Sequence, residues 1–262
     1  MTALKIEIDP ADVGFAPERL ARIDPHFEGY VDQKKLAGWQ IAVSRRGQLV
    51  HSSTYGHRDI ASNAPFTDDT VVRMFSMTKP ITSVAAMMLY EEGLLELKSP
   101  ISKWLPEFTD TRVYRSGSFL APVTEPQVEP IRVWHLLTHT SGLTYGFHNT
   151  HVTDAIYRRG GFEWGNPPGA TLEECCAMWA QMPLAFQPGS EWNYGVSTDV
   201  LGRLVEVVSG MPLDEFFRTR IFEPLGMTDT DFYVPEASME RFAKLYVRNP
   251  STGEAVLSLI HI

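Results

Sequence analysis

A Ser-x-x-Lys pattern at the predicted start of a helix is the feature that most constrains this chain. Ser76 and Lys79 stand where a polar segment gives way to apolar residues at helical spacing, and Gly93 follows that run. Pro80 fits only the first turn of a helix, so the helix is predicted to begin at about Ser76. The serine and the lysine then share one face of that turn. An amine there can accept the serine proton, and amide groups at a helix start favour a developing oxyanion.

Length and composition restrict the class of protein. With 262 residues, 44% of them hydrophobic and 21% charged, the chain can bury a sizeable core as one domain or two lobes. A net charge of −9 argues against a nucleic-acid or anionic-membrane partner. The first residues lack the pattern of a signal peptide, and no apolar stretch reaches membrane-spanning length. We therefore expect a cytoplasmic protein.

Hydrophobic periodicity predicts strands first and then a long, mostly helical middle. Residues 39–44 and 48–55 alternate as a hairpin around a turn at Arg46-Gly47. Thr171 and Glu174 form a capping-box pattern for a helix to about Gln181. The further predicted helices are Pro17 to about Leu36 with an interruption at Pro25, a helix capped by Ser197 or Thr198 and ended by Gly210, and about Leu213 to Phe222, stopping at Pro224.

Two stretches show little periodicity. Residues 109–130 are rich in Pro, Ser, Thr and Gly, and residues 144–170 contain Gly-Gly and Pro-Pro-Gly. Both are predicted to be irregular loops. One hairpin is not a stable sheet on its own, so more strands are expected to complete it.

Four motifs in order and spacing carry a family resemblance. They are Ser76-Met77-Thr78-Lys79, residues 136–143, residues 186–210 with Tyr194, and residues 221–228. Each is loose alone, but together the chain resembles the serine beta-lactamase-like superfamily, and within it the family VIII carboxylesterases and class C beta-lactamases. The resemblance covers roughly residues 13–230.

The resemblance implies a fold, a set of roles and a reaction. The fold class is α/β (α+β), a beta-lactamase/DD-peptidase-like fold with an antiparallel sheet flanked by helices and a helical lobe. Ser76 matches the nucleophile, Lys79 the lysine that helps to deprotonate it, and Tyr194 the tyrosine that exchanges a proton with the nucleophile and the leaving group. The substrate is expected to be a small-molecule ester, and no metal or organic cofactor is implied. The oligomeric state is left open.

Two departures from the family pattern are informative. Val196 stands where a lactamase has the Asn of Tyr-x-Asn, and valine cannot donate to the side-chain amide of a lactam. This favours a carboxylesterase for short-acyl esters over a beta-lactamase or a D-amino-acid peptidase. The third motif of the family, Lys-Thr-Gly or its esterase equivalent, has no candidate, because Ser251-Thr252-Gly253 has the composition of a turn.

The end of the sequence predicts that the chain is a fragment. The last six residues, 257–262, back-translate to CTG TCT CTT ATA CAC ATC, the end of a transposon-based sequencing adapter. We expect residues 1–256 to be a single, incomplete serine hydrolase domain, with an α/β lobe of about 1–75 and a mainly helical lobe of about 76–250, followed by an adapter-derived tail. A truncated chain of this kind is expected to be inactive if it lacks a pocket wall. A non-catalytic acyl-binding or sensor domain is then the alternative from another class.

Other residues suggest chemistry more weakly. Ser197 in Gly-x-Ser-x-Asp lacks the preceding strand of a hydrolase elbow and is predicted to be a helix cap. His135 and His139 lack a third metal ligand, and a structural role is expected. The adjacent Cys175 and Cys176 are expected to be buried rather than bridged or nucleophilic. The candidates to line an acyl pocket are three tryptophans, Trp164, Trp179 and Trp192.

Overall fold

The computed structural model describes residues 4–258, and these separate into two units. The strand unit takes the described residues of Met1–Met74 and Phe232–Ile262, and the helical unit is Phe75–Asp231. The sequence grouped residues 232–250 with the helical lobe, whereas the structure groups them with the strands. The reason is a parallel bridge, in which the Val71 amide donates to the Arg241 carbonyl and the Ala243 amide donates to the Val71 carbonyl.

The strand unit is built on the predicted hairpin. Strands β1 (Gly38–Arg45) and β2 (Gln48–Asp59) pair antiparallel, and β3 (Ala64–Pro65) adds a short third strand beside β2. A second small hairpin joins β6 (Tyr246–Arg248) to β7 (Ala255–Leu257). Ser251-Thr252-Gly253 lies in the turn of that hairpin, as its composition predicted. Leu257 therefore pairs within the fold, while residues 259–262 of the predicted tail lie outside the described residues.

The predicted first helix is divided into two. Helix α1 (Pro17–Leu20) ends before α2 (Ile23–Asp32), and Pro25 falls in the first turn of α2, where proline is tolerated. A polar cluster ties α2 to β2: Ser53 Oγ donates to Asp24 Oδ1 at 2.7 Å, and His51 Nε2 lies 2.9 Å from the same oxygen.

The helical unit places its apolar helix faces around one large core. The core helices are α3 (Thr78–Glu91), α4 (Val133–Leu137), α6 (Leu172–Ala180), α7 (Ser197–Ser209) and α8 (Leu213–Phe217), and α7 packs against each of the others. The capping box of α6 is confirmed, since Thr171 Oγ1 accepts from the Glu174 amide at 3.2 Å and Glu174 Oε2 accepts from the Thr171 amide at 2.8 Å. Gly210 ends α7 with φ +71°, as predicted.

The prediction of a loop over residues 109–130 was wrong. Strands β4 (Arg112–Ser118) and β5 (Ala121–Pro126) form an antiparallel hairpin with a bulge after Tyr114. Two of the three prolines in this stretch, Pro122 and Pro126, lie on β5. This strand pairs on one side with β4, and an edge strand tolerates residues without an amide donor. On its other side β4 exchanges backbone hydrogen bonds with Leu184.

Two further predictions of irregular or interrupted structure were wrong. Residues 144–170 contain helix α5 (Val152–Arg159), capped by His151 and Asp154 rather than by the usual Ser or Thr with Glu. The helix after residue 213 does not stop at Pro224. It passes from α8 through a π-helical turn (Arg218–Phe222) into α9 (Glu223–Leu225), where Pro224 needs no helical donor.

Short 3₁₀ turns connect these elements. They are Pro10–Val13, Phe75–Met77, Ile101–Lys103, Pro106–Phe108, Gly146–His148 and Glu236–Arg241.

Candidate active site

The candidate nucleophile lies on the 3₁₀ turn Phe75–Met77 that leads directly into α3. The α-helix begins at Thr78 rather than at Ser76 itself, and Pro80 occupies its first turn. Phe75 has φ +46°, a left-handed conformation that is costly for a bulky residue. This backbone turn fixes the direction in which the Ser76 side chain projects from the backbone.

Ser76 lies within hydrogen-bonding reach of the two other residues that the family motifs singled out. Ser76 Oγ is 2.6 Å from Tyr194 Oη, and either atom can donate. Lys79 Nζ donates to Ser76 Oγ at 3.4 Å, and it lies 4.6 Å from the centroid of the Tyr194 ring. The serine hydroxyl is thus in contact with two groups that can exchange protons with it.

Tyr194 is held by the backbone on both sides. The Asn193 amide donates to the His139 carbonyl at 2.9 Å, and His148 Nε2 donates to the Tyr194 carbonyl at 2.7 Å. A Cβ at Gly195 would clash with the carbonyl oxygen of Leu143, so glycine lets this loop pack closely. These contacts fix the phenol before α7 begins.

The sequence did not point to Tyr145, which also reaches the lysine. Lys79 Nζ donates to Tyr145 Oη at 3.5 Å, and the Tyr145 ring stacks on Phe147 at 4.9 Å with an interplanar angle of 18°. Burial raises the pKa of this phenol, and the Asp199 charge adds to the rise. A tyrosine three residues after Gly142 was the available signal, but nothing in the motif connected it with Lys79.

Asp199, in the first turn of α7, was also missed. Its carboxyl group interacts electrostatically with the Tyr145 phenol and with Lys79. Burial raises the pKa of Asp199, and the positive charge of Lys79 opposes that rise. An acidic residue at a helix start is usually explained by the helix dipole, so its sequence position gave no warning of a contact with the site.

The two histidines of the 136–143 region have different surroundings. His135 is buried, and its Nδ1 accepts from the Arg132 amide at 3.0 Å, which fits the expected structural role. The His139 ring lies 4.9 Å from the Tyr194 ring, and its Nδ1 is buried without a hydrogen-bond partner among residues 4–258. Burial lowers the pKa of both, and the Lys79 charge contributes at His139.

A serine, a histidine and an aspartate also meet in the strand unit, at Ser53, His51 and Asp24. Ser53 Oγ lies 3.1 Å from His51 Nε2, and that same ring nitrogen faces Asp24 Oδ1. A catalytic triad uses one ring nitrogen for the serine and the other for the carboxylate. This cluster therefore has the composition of a triad without its geometry.

The remaining candidates take structural positions. Cys175 and Cys176 are free and fully buried on α6, as expected. Ser197 is not the cap of α7, since Val196 occupies that position, and its buried Oγ bonds to Ser141 Oγ at 2.8 Å. Trp179 is fully buried in the core, so it does not line an open pocket, while Trp164 and Trp192 are exposed.

Within residues 4–258, no three His, Cys, Asp or Glu side chains are arranged to hold a metal ion. Across the same residues, every helix is too short or too polar to span a membrane.

Comparison with known proteins places these residues in a family. A family model described as Beta-lactamase matches residues 23–259. Protein Rv1367c of Mycobacterium tuberculosis is 38% identical over 215 residues, which are 82% of this chain and 52% of that protein. Esterase EstB of Burkholderia gladioli is 36% identical over 227 residues, which are 86% of this chain and 54% of the esterase. The chain thus spans about half the length of the curated relatives it matches.

The fold has solved counterparts. EstCE1, described as a hydrolase with promiscuous acyltransferase activity, superposes with a TM-score of 0.78 at 29% identity, over 91% of this chain and 58% of that one. The simvastatin synthase LovD of Aspergillus terreus, as its LovD6 mutant, gives 0.77 at 27% identity, over 94% and 60%. The predicted mixture of antiparallel strands and helices in a beta-lactamase/DD-peptidase-like fold is confirmed. With a family model that matches nearly the whole chain, this protein belongs to the beta-lactamase family.

Proposed function

We propose that the complete protein is a serine hydrolase that cleaves small-molecule esters through an acyl-enzyme on Ser76. The observation that carries this proposal is the contact of Ser76 Oγ with Tyr194 Oη at 2.6 Å and with Lys79 Nζ at 3.4 Å. A serine is a weak nucleophile until a neighbouring group takes its proton, and here two such groups converge on one oxygen. The relatives named as esterases support the same reaction class.

The first half of the reaction forms the acyl-enzyme. Ser76 Oγ attacks the ester carbonyl carbon while its proton passes to Tyr194 Oη, the nearest acceptor, in its phenolate form. Lys79 supports that transfer from 3.4 Å and carries positive charge beside the developing negative oxygen. When the carbon–oxygen bond to the alcohol breaks, Tyr194 returns the proton to the leaving alkoxide.

The second half reverses these transfers with water. A water molecule gives a proton to Tyr194 as its oxygen attacks the acyl carbon. The bond from the acyl carbon to Ser76 Oγ then breaks, and Tyr194 passes that proton to Ser76 Oγ. The amide groups at the start of the Ser76 helix favour the negative oxygen of both tetrahedral intermediates. The net reaction consumes one water and yields an acid and an alcohol.

The residue at position 196 supports an ester over a beta-lactam. Val196 is 3% exposed and belongs to the core of the helical unit. It offers no donor or acceptor to a substrate amide. A simple ester has no side-chain amide of that kind. Valine in place of asparagine therefore removes no hydrogen bond that an ester substrate would make.

Replacing Ser76 tests the proposal. In the full-length protein, Ser76→Ala is expected to lower kcat/KM for a nitrophenyl butyrate by about a thousandfold or more, because Ser76 Oγ is the atom that forms the acyl-enzyme in this mechanism. Ser53→Ala is the matched control, since it removes the serine of the other Ser, His and Asp cluster and is expected to keep the activity.

Two results would contradict the assignment. Retained turnover in Ser76→Ala would show that another nucleophile acts. Covalent labelling of Ser76 by a fluorophosphonate in a full-length protein that hydrolyses no ester would instead favour the non-catalytic acyl-binding alternative. Nitrocefin hydrolysis at a rate rivalling that of the ester would favour a beta-lactamase.

Transfer of the acyl group to an alcohol is a second candidate function. EstCE1, whose description includes promiscuous acyltransferase activity, shares this fold. The acyl-enzyme on Ser76 is the same, and an alcohol replaces water in the second half. Adding a primary alcohol during hydrolysis and measuring the ratio of new ester to free acid separates the two outcomes.

A further inference from the structure

His139 occupies the turn that ends α4, next to the segment that carries Tyr194. Its φ is +55°, and the following Thr140 amide donates to the His135 carbonyl at 2.9 Å, so the helix closes through a left-handed residue. Helices usually end on glycine or asparagine at such a position, because a Cβ is disfavoured there. Helix α7 of this chain follows that rule with Gly210. A histidine at this point therefore needs a reason beyond the turn itself.

The side chain of His139 supplies that reason through its contacts with two aromatic rings. Its ring centroid lies 4.9 Å from that of Tyr194 and 6.4 Å from that of Trp192, distances at which aromatic rings attract one another. The backbone makes a third contact, since the Asn193 amide donates to the His139 carbonyl at 2.9 Å. His139 thus holds residues 192–194 both by its ring and by its carbonyl.

These contacts are kept at a cost in stability. His139 Nδ1 is buried and has no hydrogen-bond partner within residues 4–258, which leaves a polar atom without the water it would bind in the unfolded chain. The left-handed backbone is a second cost at the same residue. Glycine would end the helix without either cost. Two unfavourable features at a residue that contacts Tyr194 indicate that it serves the site rather than the stability of the fold.

His139 meets Tyr194 as a neutral ring. Burial lowers the pKa of His139, and the positive charge of Lys79 lowers it further. Lys79 Nζ itself lies 4.6 Å from the centroid of the Tyr194 ring, so the phenol already has one cation beside it. What His139 contributes is therefore the position of an aromatic ring and not a charge or a proton.

The position of the Tyr194 ring matters because of one short contact. Tyr194 Oη lies 2.6 Å from Ser76 Oγ, and a proton can pass between these atoms only while that contact is kept. The phenol can turn about the bonds of its own side chain, and a ring packed against it restricts that rotation. A phenol that turned away would lose the serine.

We propose that His139 is a positioning residue, whose ring holds the Tyr194 phenol against Ser76 Oγ. The inference rests on the proposed role of Tyr194 in the hydrolase reaction, and it adds a residue outside the set of Ser76, Lys79 and Tyr194. His139 acts through Tyr194 and takes no part in the proton transfer itself.

Two substitutions in the full-length protein separate the ring from the turn. His139→Asn keeps a residue suited to the left-handed turn and removes the aromatic ring, whereas His139→Phe keeps a ring in a turn that suits it less well. His139→Asn is expected to lower kcat for a nitrophenyl butyrate by about tenfold to a hundredfold. Because Tyr194 acts in both halves of the reaction, KM should stay within about threefold of the wild-type value. His139→Phe is expected to bring kcat back to within about fivefold of wild type.

A role limited to the helix turn predicts the opposite order. Asparagine is the better residue for a left-handed turn, so His139→Asn would then be at least as active as His139→Phe. The rank of the two variants in kcat thus distinguishes positioning of Tyr194 from closure of the helix.

His26→Asn is the matched control. The His26 ring also lies against a tyrosine, 5.3 Å from Tyr30, but it is exposed and belongs to the strand unit, so kcat should not change. A double variant gives a second comparison. If His139 acts through Tyr194, adding His139→Asn to Tyr194→Phe should lower the remaining kcat/KM by less than about twofold. Urea unfolding establishes that each variant is folded, and the double variant decides the question if His139→Phe is not.

The rate at which a fluorophosphonate labels Ser76 keeps this inference apart from the proposed function. A wild-type protein that hydrolyses no ester would contradict the hydrolase proposal, and slower labelling in His139→Asn would then still support the positioning role. That role is overturned if His139→Asn keeps the wild-type kcat and labelling rate. A folded His139→Phe no more active than His139→Asn, or losses that multiply in the double variant, would also overturn it.

Discussion

Two histidines of the helical unit, His135 and His139, lie in surroundings that favour their uncharged state. Burial is the main cause of the lowered pKa at both His135 and His139, and nearby positive charge adds to it. For His135 the neutral ring is also required by its hydrogen bond, since Nδ1 must carry a lone pair to accept from the Arg132 amide. A histidine that suggested a base or a ligand is therefore, at position 135, part of a helix cap.

This state of His135 predicts a pH dependence of stability. Because its pKa is lower in the folded chain than its ordinary value, the unfolded chain takes up the proton first as the pH falls. The stabilising contribution of neutral His135 is fully present above about pH 6.5. It is lost as the pH decreases towards the lower pKa that His135 has in the folded chain. The free energy of unfolding should accordingly decline between about pH 7 and about pH 5.

His135→Gln isolates that contribution. Glutamine at this third helical position can still accept from the Arg132 amide, as in an ordinary capping box, but it does not titrate. The stability difference between variant and wild type, measured by urea unfolding, is expected to narrow as the pH is lowered. His26→Gln, at an exposed histidine, should leave the slope unchanged, and equal slopes for all three proteins would contradict the prediction.

At the scale of elements, α7 connects the core to the site. Its apolar face is fully buried through residues such as Val200, Leu201 and Leu204, while the charge of Asp199 in its first turn acts on Tyr145 and Lys79. Gly210 closes the helix in a left-handed conformation, with its amide donating to the Glu206 carbonyl.

Gly210→Ala is expected to destabilise the protein by about 1 kcal/mol, because a Cβ is strained at this positive φ. No atom lies within 4 Å of the added Cβ, so steric overlap makes no contribution to the loss. Gly165→Ala is the matched control, since that site is equally open but lacks a positive φ. The two midpoints of urea unfolding give the comparison, and equal midpoints would contradict the strain argument.

Elements with local signals could be predicted from the sequence. The β1–β2 hairpin follows from alternation around Arg46-Gly47, and α6 follows from Thr171 and Glu174. The β4–β5 hairpin could not be predicted in this way, because its prolines are acceptable only once the pairing on each edge is known. Helix α5 was hidden by its unusual His151 cap, and the helix through Pro224 by a π-helical turn.

The residues of the candidate site also differ in whether the sequence alone could identify them. Ser76, Lys79 and Tyr194 could be named because they occupy recognisable motifs, and the structure brings them together, although their roles stay predictions. Tyr145 and Asp199 lie on segments that no motif links. The fold brings the Tyr145 hydroxyl to Lys79, and the packing of α3 beside α7 brings the charge of Asp199 near the same lysine. Local patterns report what one segment does and not which distant side chains it meets.

At the scale of the whole molecule, the two units differ in the amount of apolar surface they bury. The core of the helical unit extends over all its major helices, whereas the buried cluster described for the strand unit consists of Val13, Leu20 and Val50. Buried apolar area contributes roughly 25 cal/mol per Å² to stability, so the two units should open at different free energies.

Native-state hydrogen exchange of the 262-residue chain should reveal this difference. Amides in α7 are expected to exchange at least about tenfold more slowly than amides of the β1–β2 ladder, although both sets are hydrogen-bonded. Comparison at two urea concentrations separates local from unit-wide opening. Equal protection across both sets would indicate one cooperative unit instead.

The burial of both cysteines has a practical consequence for studying this chain. Cys175 and Cys176 are its two thiols, both are fully inaccessible in α6, and burial raises the pKa of each thiol. A maleimide dye should not react with these thiols in the native state and should react with them once the helical unit opens. The chain thus carries an internal reporter of its own unfolding, and a cysteine engineered at an exposed position, such as Trp192, could be labelled selectively without first removing the native pair.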